Sequence, residues 1–479
     1  MAAVSLESAQ VAPRVRTDFP LTCIIGAGAS GLAVAKRFQE AGLPFECLEA
    51  RDRVGGLWAY DDRTGPAFRS LHSNTSRFAL AYSDFPPPEG FPDFPHHADM
   101  ARYFEDYVRR FRLGGNIRFN AKVAKAEPGD DGLWRVTLQS GEARVYDALV
   151  VANGHAWEPQ WPDPPYPGEF TGRQIHARDY RDPSDPVQCK DRDVLIVGFG
   201  DSALDIACEI ARKDGARRVY LSQRRGQWVL PKYLGGKPFD AAGADRGRSW
   251  TAALVPEALW TARMRARVEA EFGRPQDFGL LPPSEPMFAG RAPVSQELYL
   301  RLGSGDIAPK PGVRALEGGR VHFVDGSSAP VDVIIWCTGY RIAFPFFDEA
   351  VLGAPGNKIA LWRKMLDPRF ANLFFAGLVR ANCAAVAIVE RQADWMAAYL
   401  TGAYQLPPGY IVEAERAGEY AAALRRFGGG AARAIAVDCG EYLGGLRGEM
   451  RRGALRADAD GNPLPVPARA GRHFGEDAT

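Results

Sequence analysis

Leu21-Thr22-Cys23-Ile24-Ile25-Gly26-Ala27-Gly28-Ala29-Ser30-Gly31 is an apolar run ending in a glycine-rich turn, and it decides how the rest of the chain is read. A helix-like run follows to Ala41, and a second apolar run, Phe45 to Leu48, delivers Glu49. This is the order of a strand–turn–helix–strand unit in which backbone N–H groups approach a pyrophosphate at a helix N-terminus. Val194-Leu195-Ile196-Val197 then repeats the plan, with Gly198-Phe199-Gly200-Asp201-Ser202-Ala203, a helix to about Arg212, and a strand Val219 to Leu221 leading to Arg224-Arg225. The residue ending the second strand of such a unit meets the adenosine ribose. A carboxylate there accepts from a free 2′-hydroxyl and repels a 2′-phosphate, whereas a guanidinium does the opposite. Glu49 in one unit and Arg224-Arg225 in the other therefore predict two different dinucleotides, FAD and NADPH.

At 479 residues the chain is long enough for two or three domains. Its 46% hydrophobic and 24% charged content are ordinary for a globular protein, and a net charge of +1 argues against a general nucleic-acid binder. No apolar stretch reaches the roughly 18 residues of a membrane span, and residues 1–19 carry charges where a signal peptide needs an apolar segment. The seven cysteines show no CxxC, which predicts a reducing, cytoplasmic setting without a disulfide framework and excludes a CxxC redox pair. The seven histidines form no HxxxH or HExxH, so no metal site is expected. Self-association as a homodimer is left open.

Buried-strand runs at Ala148 to Ala152, Val331 to Trp336 and Leu373 to Phe375 flank the second unit, and the last two imply that the chain returns to its first domain. The expected fold is α/β, with two Rossmann-like dinucleotide-binding domains, the NADPH domain inserted into a discontinuous FAD domain. Its expected boundaries are a mobile arm over 1–19, an FAD domain over 20–165 and 330–450, and an NADPH domain over 166–329. Residues 235–300, rich in proline and glycine with weak periodicity, are expected to form an insertion or substrate lid. The composition of 454–479 predicts a disordered tail.

Phe170-Thr171-Gly172-Arg173-Gln174-Ile175-His176-Ala177-Arg178-Asp179-Tyr180 fits the pattern FxGxxxHxxxY just ahead of the second glycine turn. With Asn74-Thr75-Ser76-Arg77, Gly154-His155, Thr338-Gly339-Tyr340 and Glu390-Arg391-Gln392-Ala393, this resembles the flavin-containing monooxygenases over roughly residues 20–450. The resemblance implies that Gly26, Gly28, Ala29, Ser30 and Gly31 cradle the FAD pyrophosphate, with Glu49 on its ribose and Gly56-Leu57-Trp58 along it. It places Asn74 and Thr75 at the isoalloxazine and nicotinamide, and Gly198, Gly200, Asp201, Ser202, Arg224 and Arg225 on NADPH. Gln392 and the start of its helix would face the flavin pyrimidine, while His176 and Tyr180 would be linker residues.

The implied activity is oxygenation of a soft nucleophile, an amine nitrogen or a sulfur of a small molecule, by NADPH and dioxygen through a flavin hydroperoxide. Asn74 is the candidate catalytic residue, its amide supporting the oxygen adduct. An asparagine in Asn-Thr-Ser is equally a turn or helix-cap residue when read from composition. Baeyer–Villiger oxidation of a ketone and an NADPH-linked flavin reductase or oxidase are the alternatives. Three departures stand out. Asp201 replaces a frequent asparagine, the hydrophobic tail of vertebrate members is missing so that no membrane attachment is inherited, and Arg181-Asp182 replaces the Trp-Pro typical of Baeyer–Villiger enzymes.

Overall fold

The computed structural model describes residues 16–241, 257–288, 290–427 and 433–470. Two five-stranded parallel sheets organise it. The first runs in the order Leu373–Phe375, Ala148–Val151, Thr22–Ile25, Phe45–Leu48 and Ile117–Arg118. The second runs Arg173–His176, Val333–Trp336, Asp193–Val197, Arg218–Ser222 and Ile307–Lys310. All residues of the Thr22 and Asp193 strands are buried, as expected of parallel strands covered on both faces and read as continuous apolar runs.

Each sheet is covered the same way. On one face of the first, the Ala29–Glu40 helix packs against the Ala385–Leu400 helix through Leu32, Phe38, Val389 and Trp395. On its other face an antiparallel meander, Val123–Pro128, Trp134–Leu138 and Ala143–Tyr146, presents Trp134 and Val136 to Cys23 and Ile25. The second sheet carries the Asp201–Ile210 helix on one side and, on the other, the strands Val313–Gly318, Arg320–Phe323 and Ser328–Pro330, joined by Gly168–Phe170.

The return of the chain to the first sheet is made by Leu373–Phe375, which pairs with Leu149–Val151. The expectation that Val331 to Trp336 also returns there is corrected. Val333–Trp336 lies between the Arg173 and Asp193 strands of the second sheet, so the boundary at 330 falls too early. A four-residue apolar strand buried on both faces fits either sheet, and its position is decided by the register Val194 to Val333.

Two further expectations change, those for the tail and for the cysteines. Residues 454–459 continue the Cys439–Ala459 helix, so they are no disordered tail. The chain beyond it is tied back because the buried Asp147 carboxylate accepts the backbone N–H groups of Arg469 (2.6 Å) and Ala470 (2.8 Å). Residues 471–479 of that tail, and 1–15 of the expected arm, lie outside the described residues. The 235–300 segment has its own helices, Glu257–Glu271 and Leu298–Gly303, with a small core of Trp228, Leu234, Val268 and Met287. Residues 242–256 and 289 of that segment lie outside the described ones. Finally, Cys383 and Cys439 form a disulfide, joining the loop before the Ala385 helix to the start of the Cys439 helix. Their 56-residue separation concealed the pairing in the sequence.

Candidate active site

Both glycine turns end a central strand and open a helix. Gly26 has φ +104°, and a Cβ there would sit 2.7 Å from the Ala152 carbonyl oxygen; at Gly198, φ +134°, it would sit 2.2 Å from that of Cys337. Each helix begins at a glycine, Gly28 or Gly200, with no side chain capping it. The first N–H groups of both helices are thus left for a ligand, and an anion suits them. Gly28 lies against Gly56 of the Gly55-Gly56 turn, where a Cβ on Gly56 would stand 3.0 Å from the Gly28 Cα. Arg51 braces that pair, donating to the carbonyls of Gly56 (3.3 Å) and Ala59 (2.5 Å). Gly56, Leu57 and Trp58 form a single 3₁₀ turn, with Leu57 exposed. Ser30 lies against Gly377, at the end of the Leu373 strand.

Glu49 is buried at the end of the Phe45 strand. Its carboxylate accepts the Ala27 N–H at 2.7 Å and the Arg51 N–H at 2.9 Å, so it is held beside the first turn with lone pairs to spare. Arg224 and Arg225 lie just beyond the Arg218–Ser222 strand, whose Ser222 carbonyl accepts the Gly198 N–H at 3.0 Å. Both arginines are exposed and, among the described residues, have no hydrogen-bond or ion-pair partner.

Asp201 is turned aside. Its Oδ1 accepts the Val294 N–H and its Oδ2 the Arg291 guanidinium, each at 3.0 Å, so the carboxylate fastens the 291–294 segment beside its helix. His155, from the loop after the Ala148 strand, faces this same side. Burial, then the nearby Arg380 and Arg291, push its imidazole down to about 4, leaving it neutral at pH 7.

Asn74 is no helix cap: Ser76 precedes the short Arg77–Leu80 helix. Its Nδ2 donates to Asp205 Oδ2 at 2.9 Å, across 131 residues, and its Oδ1 is buried without a partner. The neighbouring backbone is held from both sides. Ser73 Oγ accepts the Thr75 N–H, Lys232 Nζ donates to the Ser73 carbonyl at 3.1 Å, and Asp240 accepts the Ser76 N–H at 2.7 Å. The segment carrying Asn74 and Thr75 is thus fastened by Asp205 of the second nucleotide unit and by Lys232 and Asp240 beyond it.

Gln392 is corrected. It is fully buried two turns into its helix, its Oε1 accepting the Gly377 N–H and its Nε2 donating to the Tyr442 hydroxyl, each at 2.9 Å. Each end of the amide is bonded inside the protein and none of the side chain reaches a surface, against the expectation that it faces a flavin. The FxGxxxHxxxY residues serve the second sheet. His176 ends the Arg173 strand against Trp161 and Tyr340, and the Tyr180 hydroxyl donates to Glu209 on the Asp201 helix at 2.9 Å. Sequence reasoning missed Asp205, Lys232, Arg291 and Arg380, whose spacing carries no signal.

The model of the flavin-binding monooxygenase-like family matches residues 21–450. The chain belongs to that family. It is therefore a flavoprotein monooxygenase, an oxidoreductase with FAD and NADPH as its cofactors. It is 31% identical over 445 residues to dimethylaniline monooxygenase (N-oxide-forming) 2 of Rattus norvegicus, an alignment spanning 89% of this chain and 82% of the rat protein. The S-allyl-L-cysteine S-oxygenase of Allium sativum shares the fold at TM-score 0.67 and 22% identity, over 92% of each chain. So does cyclohexanone monooxygenase, at TM-score 0.65 and 20% identity over 93% of this chain and 98% of that one. Among the described residues no helix is long and apolar enough to cross a membrane, and no cluster of metal-ligating side chains is present.

Proposed function

We propose that this flavin monooxygenase uses NADPH and dioxygen to oxygenate a soft nucleophile, an amine nitrogen or a sulfur, in a small molecule. The observation that carries the reading is the pair of unlike glycine turns, one flanked by the Glu49 carboxylate and the other by two unpaired arginines. FAD, when bound there, would supply the hydride-accepting and dioxygen-activating chemistry.

Everything else falls to the chain. The uncapped start of the Ala29 helix, with Gly26, Gly28, Ser30 and Gly31, holds the FAD pyrophosphate, and Glu49 accepts from its ribose. Gly56, Leu57 and Trp58 line the flavin. Gly198, Gly200 and Ser202 hold the NADPH pyrophosphate, and Arg224 and Arg225 take its 2′-phosphate. Asp201 stays out of that seat because Arg291 and Val294 occupy it. Asn74 meets the reacting oxygen with its unpaired amide end, positioned by the clamp on residues 73–76. The domain assignment follows: FAD on the first sheet, NADPH on the second, inserted between Val151 and Leu373.

Oxygenation of a soft nucleophile is favoured over ketone oxidation by the relationship to the N-oxide-forming rat enzyme, 82% of which the chain covers. The test is product analysis of the FAD-loaded protein with NADPH and a panel of tertiary amines, thioethers and ketones. N-oxides or sulfoxides are expected. Esters or lactones would make it a Baeyer–Villiger enzyme, and hydrogen peroxide with no oxygenated product a flavin oxidase.

A further inference from the structure

The Asn74–Asp205 hydrogen bond joins an amide, which presents either a donor or an acceptor, to an acid on the helix that opens at the second glycine turn. One end of the amide is occupied and the other, Oδ1, is buried and unpaired. The two ends of a carboxamide are nearly isosteric, so its orientation is decided by what its partner offers. An ionised carboxylate only accepts and takes the amide NH₂. A protonated carboxyl keeps one accepting oxygen but gains an O–H, which a buried site must satisfy, and the amide oxygen is the acceptor at hand.

We propose that Asp205 is a positioning residue whose protonation state sets which end of the Asn74 amide is presented to the reacting oxygen. With Asp205 ionised, its oxygen accepts the amide NH₂, and Oδ1 is the free end and accepts. With Asp205 protonated, the amide turns over and its NH₂ is the free end and donates. The one bond that forms and breaks is the Asp205 O–H, its proton coming from and returning to solvent. The inference rests on the assignment of Asn74 to the reacting oxygen.

The surroundings of Asp205 put this choice in the working range of pH. Burial, then the Asp201 carboxylate four residues earlier on the same helix, push its carboxyl up to about 7, against the opposing effects of the Asn74 hydrogen bond and Lys232. Glu209, on that helix, adds to the upward push. Lys232 is the cation facing it from the loop before Tyr233; burial lowers its own value while Asp205, Asp201 and Glu297 raise it. Glu297 and Arg301 reach the same helix one turn on, at Cys208. Because the folded value lies above the ordinary 3.8, ionising Asp205 costs stability, and that cost builds as pH rises from 3.8 towards about 7.

The experiment is an infrared pH titration of flavin-loaded wild type, Asp205→Asn and Asn74→Ala, without NADPH, alongside product formed per NADPH oxidised across the same pH range. A carboxyl band titrating near neutrality is expected in wild type. It should be absent from Asp205→Asn and moved to higher pH in Asn74→Ala, which loses a hydrogen bond favouring the carboxylate. Thermal stability of Asp205→Asn should gain on wild type as pH rises through that interval. Coupling should change with pH over the same interval in wild type and be flat in Asp205→Asn. If Asp205→Asn folds poorly, Asp205→Glu should keep the pH dependence at a displaced midpoint. A wild-type coupling profile in Asp205→Asn, or a neutral band that survives the substitution, would overturn the proposal. Should Asn74→Ala stay fully coupled, the assignment of Asn74 falls and this inference with it. Uncoupling in Asn74→Ala beside a wild-type profile in Asp205→Asn removes Asp205 alone.

Discussion

The two glycine turns begin alike and diverge after the first glycine. In the first unit the helix is drawn so close to its turn that a Cβ on Gly31 would stand 1.8 Å from the Gly26 carbonyl oxygen. The corresponding position in the second unit carries a methyl, Ala203, fully buried without difficulty. Gly28 is covered by Gly56, whereas a Cβ on Gly200 would meet nothing within 4 Å. The flanking charge of the first unit, Glu49, is buried and fastened to backbone N–H groups; those of the second, Arg224 and Arg225, are exposed and unpaired. A closed seat with a fixed carboxylate suits a cofactor that stays through many turnovers. An open seat with free guanidiniums suits one that enters and leaves with each cycle.

The largest effect should come from putting the second unit's residue into the first. Gly31→Ala forces the helix off its turn against a backbone oxygen, costing about 3 kcal/mol or more. Purified variant should carry little or no flavin by absorbance; near-full flavin content would show that the tight first seat is not what retains the cofactor. Next in size, replacing Arg224 and Arg225 together by Ala removes the charge-assisted bonds to a 2′-phosphate. NADPH binding should weaken by about 1.5–3 kcal/mol with NADH little changed, and equal weakening of both would remove the arginines from cofactor choice.

Gly200→Ala fills open space at a residue of ordinary φ, so folding and flavin content should hold. NADPH affinity should fall about tenfold, ~1.4 kcal/mol, as the methyl takes up room the pyrophosphate needs. An unchanged dissociation constant would place the phosphates elsewhere. The smallest effect is expected from Asp201→Asn. Its partner Arg291 is half-exposed, so losing the pair should lower thermal stability by less than about 1 kcal/mol. NADPH binding should not weaken, because the carboxylate is directed away from the phosphates; a marked loss would show Asp201 contributing to the seat itself.

Much of this contrast was legible in the sequence, because glycine turns between an apolar strand and a helix are local features with local causes. Glu49 and Arg224 were found by counting along a unit whose geometry fixes where its second strand ends. What escaped depended on chain segments far apart. Val333–Trp336 and Leu373–Phe375 are indistinguishable as buried apolar runs, yet they enter different sheets. Gln392 reads like a polar residue free to face a ligand, and only the fold brings Gly377 and Tyr442 to both ends of its amide. Asp205 is one more acid on an amphipathic helix until Asn74 arrives from 131 residues away. Composition at 454–479 suggested disorder, but Asp147 supplies an acceptor for Arg469 and Ala470 that composition does not reveal.

In the proposed reaction the closed and open seats cooperate to move one oxygen atom from dioxygen into a nitrogen or sulfur centre. Running the FAD-loaded enzyme with NADPH, ¹⁸O₂ and a tertiary amine or thioether, and weighing the product, tests it most directly. One labelled oxygen is expected in the N-oxide or sulfoxide for each NADPH oxidised. Product without label, or label found only in hydrogen peroxide while NADPH is consumed, would contradict it.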